Sequence, residues 1–451
     1  ETIALDLRAN TAGVTVRQTA NADEDITPAI VGDVLFGSGD ARLELLAGTL
    51  NGKVAFGAGA DTLVIDGGAT LRGDLTDAGG GLAMTIAEGR LTTTNTGALA
   101  LTRLDLGSEG ELVVTADPVA GTATRLNVAG AATLADGAKV GLRFETKLTE
   151  PASFTLIDAA SLDVQGQLDD SLLTEGPWLY KTSLRADEAA GELIADVRRR
   201  TAAEAGLNAA EASAYDAVFE AFDRDEAVRD ALLDKTDAEG FRSLYDQFLP
   251  DYAGGLFRIM ASANEATGRA IDETEALLPR RGMRVWAQEI GVIHRQDLEG
   301  ADGFEAGGFG FATGVEATDT PLGALGLQAS FLNVTVDENG AAAAEKLTGS
   351  ALSAGGYWRN QMGGLHASAG LTGGYAWLQG DRAVVDTDAG LTREASSEWN
   401  AVTAAAHLGL SYTAEAGRFY AKPLVQADYF YFKEDGRTES GGGEAIDLAI
   451  E

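Results

Sequence analysis

Three histidines and no cysteine bound the side-chain chemistry open to this 451-residue chain. His294, His366 and His407 all lie beyond residue 282. The first 282 residues therefore lack the partners for Ser-His-Asp or Cys-His nucleophilic catalysis and the usual ligands of zinc. Carboxylates, hydroxyls and lysines remain, but among 69 Asp and Glu residues no pair is singled out by spacing as the acid and base of a glycosidase. The glycine runs at residues 79–81 and 441–443 do not open helices, so they read as turns and not as phosphate-binding loops. Gly57-Ala58-Gly59-Ala60-Asp61-Thr62-Leu63 faintly matches the nonapeptide of calcium rolls; as one degraded copy it reads as a structural turn. No cofactor, metal or catalytic residue is expected, and the chain does not read as an enzyme.

Composition narrows the partners. A formal charge of −35 argues against nucleic acid and anionic lipid, and the lack of cysteine removes any disulfide framework. Glycine at 57 residues against 8 prolines suits a turn-rich β protein. No run of 18 apolar residues and no signal-peptide pattern is present, so the chain reads as cytosolic or as a piece of a longer exported protein. The strand pattern selects the second.

That pattern begins near Arg284. Leu365, Ala367, Ala369, Leu371, Tyr375 and Trp377 share one parity, and His366, Ser368, Gly370, Thr372 and Gly374 the other, so one face is apolar and one wet. Val402, Leu408, Leu410 and Tyr412 oppose Thr403, His407, Gly409 and Ser411 in the same way. Phe419, Val425, Tyr429 and Tyr431 oppose Lys422, Gln426 and Asp428, while Phe309, Phe311 and Val315 alternate with glycine and alanine. Strands of this length cross a bilayer at a tilt. Trp286, Tyr357, Trp358, Trp377, Trp399, Tyr412, Tyr429 and Tyr431 fall towards strand ends, where membrane-interface aromatics belong. A soluble antiparallel sandwich shows the same alternation; many consecutive strands with no helix favour a barrel.

The preceding elements have other periods. Phe36, Gly37, Gly39, Leu43, Leu45 and Gly48 recur as Phe56, Gly57, Gly59, Leu63, Ile65 and Gly68, with Leu82 and Met84 continuing one residue early. A period near twenty means stacked coils of a β-solenoid over residues 1–100. Residues 101–198 stay strand-rich and are placed to cap the open edge. From Thr201 the period turns helical: Asn208 with Glu211 predicts a capping box, and Thr236 with Glu239 opens a second helix that ends at Pro250. A third helix, residues 252–278, is rich in small residues and about 40 Å long, enough to thread a pore. Arg258, Glu265, Arg269, Asp272 and Glu273 suit a polar lumen and not lipid. Asn264, its one asparagine, is the candidate for a linker cleavage.

This order of elements resembles the monomeric autotransporters of type V secretion, over essentially the whole chain. Ala205-Gly206-Leu207-Asn208-Ala209-Ala210-Glu211-Ala212 and the following Tyr215-Asp216-Ala217-Val218 are similar to the segment joining passenger and translocator in that family. Leu244-Tyr245-Asp246-Gln247-Phe248-Leu249-Pro250-Asp251-Tyr252-Ala253-Gly254-Gly255 resembles its pre-barrel stretch, and Val285-Trp286-Ala287-Gln288 its first barrel strand. Ser153-Phe154-Thr155-Leu156-Ile157-Asp158-Ala159-Ala160 is similar to its autochaperone cap. The resemblance implies an outer-membrane barrel inserted by the barrel-assembly machinery with the help of periplasmic chaperones. It also implies a passenger that folds outside from its cap, and a helix left in the lumen. Family barrels have twelve strands and an aromatic-terminated last strand. About eight can be placed here before Leu448-Ala449-Ile450-Glu451, so a longer protein is expected.

The expected fold is thus mainly β, a right-handed parallel β-solenoid joined by α-helices to an incomplete antiparallel transmembrane β-barrel. Its regions are residues 1–100, 101–198, 199–250, 251–282 and 283–451. Two readings stand beside this one: a soluble acidic surface adhesin or surface-layer protein, and a passenger enzyme whose active domain precedes Glu1. The passenger's surface ligand is not legible.

Overall fold

The computed structural model describes residues 2–20, 27–249, 254–273, 282–298, 301–339 and 345–450. The fold is mainly β, 60% strand against 14% helix. It divides into two compact units, residues 1–215 with 229–242 and residues 216–228 with 243–451.

The first unit stacks parallel strands at the interval set by the repeat. Val34 pairs with Val54 and Leu43 with Leu63. Phe36 and Phe56 stack at 5.1 Å between ring centroids, and Leu43, Leu45, Leu63 and Ile65 are fully buried. Each coil thus covers the apolar face that its neighbour could not bury alone. Aspartates tie successive coils at their turns: the amide of Lys53 donates to Asp33, that of Ala60 to Asp40 and that of Ala41 to Asp61. One expectation needs correcting. Met84 and Ile86, not Leu82 and Met84, take the places of Leu63 and Ile65. The extra residue enters at the turn of residues 66–69, because Leu45 pairs with Ile65 but Leu50 with Leu71 and Val54 with Leu75, so the coil is one longer and not one shorter.

Parallel pairing continues beyond residue 100, with Leu104 beside Ala132 and Leu126 beside Ile157. The repeat fades because coil length grows while pairing persists. Apart from a two-residue antiparallel turn at Thr122–Ala123, direction reverses after Ala152–Gln165, on which Glu192–Arg199 lies antiparallel, followed by Tyr180–Asp187. That hairpin takes the edge where another coil would stack.

Four helices matter to the site: α1 (Ala209–Ala221), α2 (Glu226–Leu233), α3 (Ala238–Asp246) and α4 (Gly255–Glu273). Asn208 and Glu211 form the predicted reciprocal cap, with amide to side-chain distances of 2.9 and 3.0 Å. Asp237, not Thr236, caps α3, because its carboxylate stands three residues before the Gly240 amide it accepts from. α2, capped by Asp225, had no counterpart in the sequence reading. α4 has 19 residues, which at ~1.5 Å per residue is about 28 Å. Pro250, Tyr252 and Leu278, the expected helix limits, lie outside the described residues.

The second unit is built on one antiparallel meander. Its strands are β1 (Met283–Leu298), β2 (Ala301–Thr320), β3 (Gly323–Asn339), β4 (Lys346–Met362), β5 (Leu365–Asp386), β6 (Leu391–Tyr412) and β7 (Leu424–Glu434), paired in sequence order. The sheet has seven strands where about eight were expected, and no closed barrel forms among the described residues. The run expected from Phe419 to Tyr431 is broken. Phe419–Ala421 pairs with Ala414–Ala416 in a ladder of its own, and Pro423, with no N–H to give a ladder, precedes β7. α4 touches all seven strands, so the sheet wraps round it.

Candidate functional site

The two faces of the sheet divide by parity, as the alternation requires. On the outer face Phe309, Leu327, Leu371 and Tyr429 are each more than 60% exposed, and Leu352, Val402, Leu408 and Leu410 stand beside them. In water so continuous an apolar face would forgo about 1.5–3 kcal/mol per side chain; in a bilayer it is solvated. No described helix is long and apolar enough to cross a membrane, which leaves strands untouched.

The inner face encloses α4 in three layers. Around its first half the wall is apolar: Leu256, Ile259, Met260 and Ala263 pack with Phe304, Val334, Val336, Leu347 and Leu378. This corrects a uniformly wet lumen, since alternation sets which residues face inward but not what they meet there. A β-carbon on Gly255 would lie 2.7 Å from Val336, and one on Gly268 would lie 2.6 Å from His407. Small residues are therefore what let the helix sit against its wall. In the middle, Asn264 and Thr267 line a cavity of ≈ 40 Å³ with Ser330, Ser353, Thr372 and Thr403. Among the described residues that line it there is no carboxylate.

Charge concentrates at the C-terminal end of the helix. Arg359 donates to both oxygens of Glu316, which is 1% exposed, and to the Ile271 carbonyl at 2.9 Å. A guanidinium there satisfies an orphan carbonyl and meets the negative end of the helix dipole. His407 stands between Asp428 at 2.7 Å and Asp272 at 3.1 Å, and His294 bonds Ser262 at 2.8 Å. His366 lines a cavity of ≈ 450 Å³ with Glu265, Arg269, Asp272 and Lys422. All three histidines face inward. Glu265 and Arg269 pair loosely at 3.9 Å, and Arg258 is exposed on the same helix. The side chain of Glu273 lies outside the described residues.

The aromatic assignments split. Trp377, Tyr412, Tyr429 and Tyr431 point outward and are exposed, and half-buried Trp358 donates its indole N–H to the Leu322 carbonyl at a turn. Trp286, Trp399 and Tyr357 point inward and are buried, contrary to an interface role. Trp286 donates to the Tyr357 hydroxyl at 2.7 Å, and that hydroxyl donates to Glu316. Register explains it: Trp286 is paired with Gly314 and Tyr357 with Gly326, and each ring lies over the glycine opposite. A tryptophan near a strand end reads the same from either face until register is known.

Sequence reasoning also missed a cluster at the other end of the sheet. Arg393 on β6 holds Asp225, the cap of α2, through two bonds of 2.8 and 3.1 Å. Burial pushes the Asp225 carboxyl up, but Arg393 and the Val228 and Ala227 amides outweigh it and leave it below the usual carboxylate value. Arg382 on β5 is 4% exposed; it grips Glu439 and donates to the Ile446 carbonyl and, at 2.6 Å, to the Gln247 carbonyl just past α3. The only sequence signals were the cap pattern at Asp225 and two arginines near one hairpin tip.

A lipid-facing antiparallel wall wrapped on a polar-ended helix is the arrangement of an outer-membrane strand protein, since paired strands satisfy one another's amides in lipid and no described helix is apolar enough to cross it. Residues 285–450 match the family model described as Autotransporter beta-domain, over the same strands. The match supports an outer-membrane autotransporter of type V secretion with a C-terminal translocator domain. No curated protein and no solved structure matches the chain.

Proposed function

We propose that this protein exports its own N-terminal passenger across the outer membrane and displays it on the cell surface on a β-solenoid stalk. In this reading residues 1–100 are solenoid, 101–198 its autochaperone-like cap, 199–250 the linker, 251–282 the lumen helix and 283–451 the translocator. The observation that carries it is α4 lying inside a sheet with an apolar outer face, on a chain whose preceding residues form stacked parallel coils. A chain that leads from the coils into the enclosed helix is what remains when a passenger has gone through. The charged lower lumen is a plug and not a catalytic centre. Barrel-assembly machinery and periplasmic chaperones are the partners proposed for insertion, with outer-membrane lipid as the surrounding solvent. A reading without a pore is disfavoured by the exposed outer face.

Intact cells expressing the full protein decide it. External protease should release solenoid fragments from residues 1–198 and leave a membrane-bound core beginning in the linker. Solenoid protected until the outer membrane is opened, or a second unit that stays soluble and monomeric without detergent, would overturn the proposal.

A further inference from the structure

The β5–β6 hairpin is longer than a bilayer crossing needs. Each strand has 22 residues against the roughly 9–11 that span lipid. Its partner β4 ends its pairing at Lys346 with Asp381, and β7 ends at Glu434 with Ala401. Residues 382–386, about 16 Å of strand at ~3.3 Å per residue, and the facing residues 391–395 therefore project as a two-stranded tip. The tip is not bare. Arg382, Val384, Asp386, Leu391 and Ala395 are buried along one face.

What the tip holds comes from two distant places in the chain. Arg393 takes the side chain of Asp225, and Arg382 takes the Gln247 carbonyl, while the Val385 amide donates to the Gln247 side chain at 2.7 Å. Residues 437–450 close over the same arginine: Glu439 meets its guanidinium, and Ser440 pairs with Ser396 through both backbone bonds at 2.9 Å. A guanidinium buried here without its acceptors would be an uncompensated charge, so these contacts form together or the arginine stays in water.

We propose that the hairpin tip is a docking arm that captures the linker at residues 225 and 247 once it has emerged, and that residues 437–450 latch over it, holding the linker outside the barrel. This rests on the export reading. Asp225 and Gln247 reach the tip only when both ends of that linker stretch lie at the same end of the sheet, with α4 already inside. The arm is thus a stop built into the wall, set by its length and its two arginines.

The test uses the full chain in outer membranes and in detergent, with Asp225→Asn, Arg393→Gln, their double variant and Arg382→Gln. Asn at 225 can still accept the α2 amides, so it removes the ion pair and not the cap. Tryptic cleavage after Arg224, divided by its rate in the denatured variant so that the residue beside the cut is accounted for, should quicken roughly tenfold in each single variant at unchanged heat-modifiable mobility of the barrel, the mark of 1–2 kcal/mol of lost seating. The double variant should cleave no faster than the faster single. If Arg382→Gln fails to fold, the two Asp225–Arg393 variants carry the result alone. Unchanged cleavage, or effects that add, would overturn the docking arm. A passenger missing from the surface of cells making the unaltered protein would overturn export instead, and the detergent measurement would still judge the arm.

Discussion

Asp61 shows how a single buried carboxylate can set the pH response of a coil. It is 1% exposed, one oxygen accepts the Ala41 amide at 2.7 Å, and the other has no partner among the described residues. Burial pushes its carboxyl up, and Asp77 and Asp40 add to the shift. A folded state that binds this proton more tightly than the unfolded chain is most stable in acid. It loses stability as pH rises from the unfolded carboxyl value, about 4, through the raised folded one. Asp61→Asn keeps the acceptor for Ala41 and removes the buried charge. Amide hydrogen exchange of residues 41–65 in the full chain should slow at pH 7, by on the order of 1 kcal/mol, and match the parent near pH 3. Equal protection at both pH values would show that the Asp61 carboxyl is not pushed up in the folded chain.

Among the elements, α4 is held less by its sequence than by its seat. Among the described residues its internal charge pair, Glu265 with Arg269, is half-exposed and contributes a few tenths of a kcal/mol at most. Its C-terminal turn is held by Arg359, whose partner Glu316 is buried on the wall. Arg359→Gln leaves that carboxylate with only the looser Arg284, 4.0 Å away, at a cost of about 3–5 kcal/mol. The refolded translocator should lose its heat-resistant mobility at clearly lower temperature, and the added change Glu316→Gln should recover much of the loss. No shift in the single variant would mean that Glu316 is satisfied elsewhere. This seat was not legible in the chain, because Glu316, Arg359 and Ile271 belong to three segments that meet only through strand register.

Across the whole molecule the test is which aromatics see lipid. Single-tryptophan versions in bilayers of brominated lipid should show strong quenching of Trp377 and little of Trp286 or Trp399. The reverse would place the sheet inside out. The bilayer supplies the free energy that water denies to the outer face, so the same versions in water should aggregate or unfold.

Much was decided by the sequence alone. Period two against period twenty separated lipid-facing strands from stacked coils, and small residues marked the helix that must fit against a wall. These are local signals, carried by side-chain size and polarity along one stretch of chain. The tertiary structure alone decided the rest: Trp286 and Trp399 face inward, Met84 and not Leu82 continues the coil, and Arg382 and Arg393 gather Asp225, Gln247 and Glu439 from remote segments. Facing, register and long-range pairing depend on which strands become neighbours. Alternation reads the same from either face, so only the assembled sheet shows which side meets lipid and which meets the helix.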